Sequence, residues 1–238
     1  MKTILHKANS RGYANHGWLK SHHSFSFANY HNIERMNFGA LRVLNDDVVQ
    51  PKMGFGTHPH QNMEIISIPL TGALSHKDSM GNKRAIEVGE VQVMSAGTGL
   101  THSEFNDSQT DAVNFLQLWI IPQEKDVTPH YEQRKFPLAG KKNQLQLVVA
   151  PKDKNLRDAL PISQQAYIYR TSLDARRSIE LTSSSNNHGF YVFVVEGNIK
   201  IGEIALNSRD ALGIYETEQV QINADTTSEL IIIEVPMS

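Results

Sequence analysis

Cysteine is absent from the 238-residue chain, which excludes disulfides, thiolate nucleophiles, iron–sulfur ligation and cysteine-built zinc sites. That absence suits a reducing or an oxidising compartment equally. An excess of one charge is missing too, since 23 Lys and Arg stand against 25 Asp and Glu for a formal charge of -2. A nearly neutral chain presents no field that gathers nucleic acid, so polynucleotide partners are not expected, and Lys141-Lys142 and Arg176-Arg177 read as solvated faces. Long apolar runs are lacking. Leu230–Val235 is broken by Glu234 and falls far below the roughly eighteen residues a membrane helix needs, and MKTILHK at the start has no apolar segment behind its lysines. A cytoplasmic protein without membrane contact is the expectation. No G-x-G-x-x-G precedes a strand–helix pair, and Gly97-Thr-Gly99 is too short for a phosphate loop, so nucleotide cofactors are not expected.

What is present is a globular composition, 39% hydrophobic and 20% charged. A chain of this mass buries roughly 70% of its extended surface, enough for one large domain or two small ones. Short β-type runs with glycine and Asn/Asp punctuation predict an all-β protein. In the first half the expected strands are Gly39–Asn45, Met63–Thr71, Ala73–Asp78, Glu90–Ser95 and Asn114–Ile121. The second half offers Leu145–Ala150, Ala166–Ser172, Phe190–Glu196, Asn198–Ile204, Asp210–Tyr215, Val220–Asn223 and Ser228–Glu234. Asn114–Ile121, NFLQLWII, is apolar on both faces, as befits a strand sandwiched between layers. Lys154–Leu160 is read as a single helical turn, and the pair Asp46-Asp47 as a turn between strands. In the block His22–His31, Phe25 and Phe27 alternate with Ser24 and Ser26, the pattern of a strand.

Two segments resemble each other, one starting at Met63 and one at Phe190. Each has an apolar strand, a glycine turn at Gly72 or Gly197, a second strand and a polar link into a further strand. One β-unit used twice explains this, with two barrels packed together or a fused sandwich as the possible outcomes. The join falls in Gln123–Gln144, where Pro129, Pro137, Gly140 and Lys141-Lys142 favour loop over packed strand. Domains of 1-130 and 131-238 follow.

His58 and His60 form an H-x-H pair, and His102 and Glu104 an H-x-E pair. In extended backbone, residues two apart share a face roughly 6 to 7 Å apart. An isolated H-x-H is ordinarily a surface pair; a second such pair behind the glycine-rich Ser95–Leu100 points to a mononuclear metal site with nitrogen and oxygen ligands. Fe, Mn, Ni, Cu and Zn all suit that set, and Cu(I) is disfavoured without a thiolate.

HSFSFANYH, RMNFGALRVLNDD from Arg35, GFGTHPHQNMEIISIPLTGALSHKDSMGN from Gly54 and SAGTGLTHSEFN from Ser95 together resemble the pirin family of the cupin superfamily. The resemblance is dense over residues 10–125 and weaker beyond. It implies a bicupin: two β-barrel (double-stranded β-helix) domains packed together, the first holding one divalent transition metal, most often Fe(II), on His58, His60, His102 and Glu104. It also implies a quercetin 2,3-dioxygenase activity, in which a flavonol ring is opened by O₂ with release of CO and Glu104 serves as the catalytic base. Phe27, Phe38, Met53, Phe55 and Phe105 are the candidate walls for the flat aromatic substrate. Glu64 is expected to orient an imidazole rather than to ligate. Only His188 stands where the second barrel would need a pair, so that barrel is expected to be metal-free, and neither His188 nor His31 is expected to ligate. A non-catalytic metal- or redox-responsive regulator with a protein partner is the alternative function, and a cupin isomerase or storage-type domain with a closed site is a third. A monomer is expected.

Overall fold

The computed structural model of the chain describes residues 1–237. Its strands are β1 (Lys2–His6), β2 (Gly12–Asn15), β3 (Leu19–His23), β4 (Leu41–Val49), β5 (Gly54–His60), β6 (Glu64–Thr71), β7 (Ala73–Asp78), β8 (Lys83–Glu87), β9 (Glu90–Ser95), β10 (Leu100–Asn106), β11 (Val113–Ile120) and β12 (His130–Lys135). There follow β13 (Gln146–Pro151), β14 (Leu160–Ile162), β15 (Tyr167–Leu173), β16 (Ser178–Thr182), β17 (His188–Glu196), β18 (Asn198–Ile201), β19 (Ile204–Asn207), β20 (Ala211–Tyr215), β21 (Gln219–Ala224) and β22 (Ser228–Pro236). The first domain pairs a seven-stranded sheet, β12-β9-β6-β11-β4-β3-β2, with a four-stranded one, β5-β10-β7-β8. In the second domain β1-β20-β17-β22-β15-β13-β14 is matched with β16-β21-β18-β19. Both are cupin-like sandwiches. Their sheets do not close into the barrels expected from the sequence.

The internal repeat is visible strand by strand. β6 to β9 run through the first domain as β17 to β20 run through the second, with the turns made by Gly72 and Gly197. Gly197 has φ +98, and a Cβ there would lie 2.5 Å from the Thr227 carbonyl oxygen, so the turn needs glycine. One outer strand of each large sheet comes from outside the expected core of its domain. β12, from the expected linker, pairs with β9 in the first sheet, while β1, at the start of the chain, pairs with β20 in the second. The expected cut between 130 and 131 therefore falls inside a strand.

The two large sheets pack back to back. Leu44, Ile66, Ile68, Val93, Leu116 and Leu118 from the first share one core with Val149, Ile168, Tyr191, Phe193, Ile231 and Ile233 from the second. Both faces of each large sheet are thus buried, which accounts for the two-sided apolarity of β11. On β4 the period of two sends Leu44 and Asp46 to the seam, and Asn45, Asp47 and Val49 into the first domain. Asp46 and Asp47 lie within this strand and make no turn, contrary to expectation. Asp46 accepts hydrogen bonds from Arg11 at 3.4 Å and from Arg209 of the second domain at 3.1 Å, which satisfies a carboxylate that the seam would otherwise strand. Lys154–Leu160 is not a helical turn either. The 3-10 turn is Lys152–Lys154, and the chain is extended again by Leu160 at the seam. In the His22–His31 block the strand ends at His23. Phe25 turns into the seam against Tyr191, and Phe27 and Tyr30 exchange backbone hydrogen bonds across a tight loop.

Phe38 is likewise a seam residue. Its ring lies over the backbone of Gly213, where a Cβ would sit 2.6 Å from Phe38 Cε2. Gly213→Ala should cost about 1–3 kcal/mol by overpacking, read as a lower urea midpoint at unchanged slope. His6 is also buried at the seam, with Nδ1 2.9 Å from the Tyr191 hydroxyl. Burial pushes its imidazole down to about 4 from an ordinary value near 6.5. A depressed base resists protonation in the folded state, so its contribution is intact above about pH 6.5 and is lost as pH falls towards 4. The stability of the wild type relative to His6→Gln should accordingly fall by roughly 2–3 kcal/mol between pH 7 and pH 4, measured by urea unfolding at both pH values.

Candidate metal centre and its cavity

Strand β10, LTHSEFN, alternates strictly: Leu100, His102, Glu104 and Asn106 are buried, while Thr101 and Phe105 face outward. Opposite it, His58 pairs with His102 and Phe55 with Glu104, so β5 carries one residue more than β10 over this interval. That bulge, at Gly56-Thr57, changes the parity of β5 and lets Phe55, His58 and His60 all face the same cavity. On the other side of β10, His76 of β7 is paired with Glu104 and Asp78 with His102.

The imidazoles of His58 and His102 lie 4.4 Å apart by ring centroid, and His60 is 4.9 Å from each. Donor atoms of His58, His60 and His102 lie within 4.8 Å of one another, and so do those of His76, His102 and Glu104. His102 belongs to both groups. It is buried, and neither of its ring nitrogens has a hydrogen-bond partner. Desolvation first, and the neighbouring His58, His60 and His76 after it, push His102 down to about 2. His60 is pushed down to about 4, again mainly by burial. His58 Nδ1 donates to the Gly56 carbonyl at 2.8 Å, which leaves Nε2 as a free acceptor. His60 and His102 are therefore neutral imidazoles at neutral pH. Glu104 is pushed up by burial, an effect partly offset by the Gln117 amide at 2.7 Å and the Ser67 hydroxyl at 3.2 Å. Unpartnered buried nitrogens beside a carboxyl fit a divalent transition metal, because an unsatisfied buried donor set is costly until something occupies it.

The cluster opens into a cavity of about 600 Å³ lined by Trp18, Phe27, Tyr30, Phe55 and Trp119 and reaching His58, His60 and Glu104. Trp119 meets His60 edge to face at 4.9 Å and Phe27 at 5.3 Å. Of the five expected wall residues, Phe27 and Phe55 line this cavity. Phe38 is in the seam, Met53 is exposed on the surface, and Phe105 points outward because it follows an inward Glu104 on a strand. Glu64 orients no imidazole: it faces away from the histidines and accepts a hydrogen bond from Ser95 Oγ at 2.5 Å. His31 is exposed, and His188 is held by Glu234 at 3.0 Å. The interior of the second domain is filled by Phe190, Val192, Ile199, Leu206, Ile222 and their neighbours.

His76 and Asp78 were not among the expected site residues. Their signal is an H-x-D pair on a strand whose limits the sequence predicts correctly. His76 Nε2 donates to Asp78 at 3.1 Å, the ring stacks on Tyr131 at 4.8 Å, and Nδ1 is buried without a partner. Ser67 and Gln117 were also missed. They belong to an in-register polar row, His23, Asn45, Gln117, Ser67 and Gln92, that crosses the large sheet beneath Glu104.

An open cupin sandwich carrying a buried histidine and carboxylate cluster, joined to a second sandwich packed solid, defines a bicupin with one candidate metal centre. Comparison with known proteins agrees: residues 5–120 match the Pirin family model and residues 147–235 the quercetinase C-terminal cupin domain. The chain belongs to the pirin family. It is 44% identical to a quercetin 2,3-dioxygenase of Escherichia coli strain K12 over 98% of both chains. The crystal structure of YhhW from Escherichia coli superposes with a TM-score of 0.94 at 42% identity, covering 100% of this chain and 99% of that one. YhhW in complex with nickel(II) superposes with a TM-score of 0.93 at 41% identity, covering both chains fully.

A divalent transition-metal ion supplied at a hundredfold its dissociation constant should raise the unfolding free energy by about 2.7 kcal/mol. Thermal melts with and without chelator measure this, and His102→Ala should show no such rise.

Proposed function

We propose that the chain is a metal-dependent dioxygenase that opens the ring of a flavonol such as quercetin with O₂ and releases carbon monoxide, with the metal held by His58, His60, His102 and Glu104. The observation that carries this reading is the continuity between an aromatic cavity and the histidine cluster. A divalent first-row metal there, Fe(II) in the first instance and Ni(II) beside it, would supply Lewis acidity and electron exchange with O₂. The chain's own residues do the rest. Phe27, Phe55 and Trp119 offer flat faces that hold fused rings in place and exclude water. Glu104, the buried carboxylate beside the histidines, takes the proton of the 3-hydroxyl. Ser67 and Gln117 each hold one of its oxygens, so that its orientation is fixed before substrate arrives.

The test is O₂ uptake and CO release with quercetin, normalised to metal content, on anaerobically purified protein loaded separately with Fe(II), Mn(II), Ni(II), Cu(II) or Zn(II). Stoichiometric CO under at least one metal is expected. Alanine at His58, His60, His102 or Glu104 should lower metal content markedly, whereas alanine at His31 or His188 should leave it unchanged. A full metal load with no CO under any ion would replace the enzyme by a non-catalytic, metal-responsive binding protein.

A further inference from the structure

Two residues that line the cavity each carry a buried polar atom with no hydrogen-bond partner among the described residues. One is Asp47 Oδ1 and the other is Trp119 Nε1. The neighbouring polar side chains of the same wall are engaged: His23 with Asn45 at 2.9 Å, and Gln117 with Glu104 at 2.7 Å. Asp47 is 3% exposed and stands in register with Ser21 on one side and Phe115 on the other. It lies one strand and one rung away from Gln117, on the order of 8 Å by the spacings of a β-sheet. The backbone positions of Asp47 and of Gln117, whose amide holds Glu104, are therefore separated by about the span of a fused two-ring system.

Burial pushes the Asp47 carboxyl up to about 7 despite a hydrogen bond from the Ser21 hydroxyl, its Oδ1 is left without a partner, and the Trp119 indole N–H is a donor without an acceptor. We propose that Asp47 is a specificity-determining residue that binds a hydroxyl of a polyhydroxylated aromatic substrate, on a ring other than the one whose oxygen faces the histidines, while Trp119 Nε1 donates to a carbonyl oxygen of the same molecule. This assignment rests on the cavity being the substrate site of the proposed dioxygenase, and it names the substrate class as aromatic ketones that carry ring hydroxyls. A site built to pair a substrate hydroxyl discriminates strongly against the analogue that lacks it, because the protein group is then left buried and unpaired.

The experiment is anaerobic binding, followed by flavonol absorbance, of quercetin and of 3-hydroxyflavone to the metal-loaded wild type and to Asp47→Leu, Asp47→Asn and Trp119→Phe. The wild type should bind quercetin about tenfold or more tightly than 3-hydroxyflavone. Asp47→Leu should abolish that preference by weakening quercetin alone, and Asp47→Asn, which keeps one acceptor oxygen, should restore part of it. Trp119→Phe should weaken both ligands alike, since both carry the carbonyl. Should the leucine variant fail to fold, as its melt would show, the asparagine variant decides: an undiminished quercetin preference overturns the proposal. Equal losses for both ligands in the Asp47 variants, or no binding of either ligand by the wild type, also overturn it. Quercetin binding with an Asp47-dependent preference but no CO under any metal upholds the subsite and sinks the dioxygenase.

Discussion

The seven-stranded sheets are buried on both faces, and their shared seam fixes what the rest of the molecule can do. One face of each must complement the other domain, which is why Leu44, Leu116 and Leu118 meet Ile231, Ile233 and Tyr191 across it. Apolar burial of this kind is the main favourable contribution to folding. The seam also commits the chain topologically, because β1 is an outer strand of the second domain's sheet although the strands that follow it build the first domain. With stability drawn from the seam and from the filled second domain, the interior of the first domain is released from the need to pack.

The contrast between the two interiors makes the point. In the second, Phe190, Val192, Ile199, Leu206 and Ile222 form one continuous cluster. In the first, the apolar residues split into a group around Leu74, Val113 and Phe115 and a group around Ile65, Met94 and Leu100. Histidines, Glu104 and the polar row on the large sheet lie between. The same strand order thus yields a core in one copy and a site in the other, and the difference lies in which side chains occupy the inward positions of homologous strands. Where Val192 and Val194 face the interior of the second domain, Ile65 and Ser67 face that of the first.

Much of this was legible from periodicity. The limits of Ala73–Asp78 and Glu90–Ser95 and the internal repeat follow from the pattern, and the H-x-H pair lies beside His102 of the H-x-E pair, because a period of two is a local property of the backbone. What was missed depends on partners distant in sequence. Asp46-Asp47 has the composition of a turn, and Arg11, Asn114 and Arg209, all distant in sequence, satisfy Asp46 so that the pair sits within a strand. The β5 bulge exists through its register with β10, so the facing of Phe55 could not be derived from β5 alone. Phe105 is different. Its outward orientation follows from alternation once Glu104 is placed inward, a rule that needs no distant partner. His76 and Asp78 satisfy the same-face criterion of the other pairs, and their H-x-D spacing on β7 is legible in the sequence.

The electrostatics of the cluster and the walls of the cavity are one device. Desolvation is the largest cause of the depressed imidazoles of His60 and His102 and of the raised carboxyl of Glu104. Each shift opposes charge, and the shifts reinforce one another, since a proton on any one histidine is repelled by the others. A dication placed among them reverses the balance, because it offers every lone pair a partner and favours the ionised carboxylate at the same point. The desolvation comes from burial, to which Trp119 against His60, Phe27 against Trp119 and Tyr131 against His76 contribute. The aromatic enclosure that would receive a flat substrate is therefore also part of what keeps the donors neutral, so the walls cannot be opened to water without weakening the ligand set.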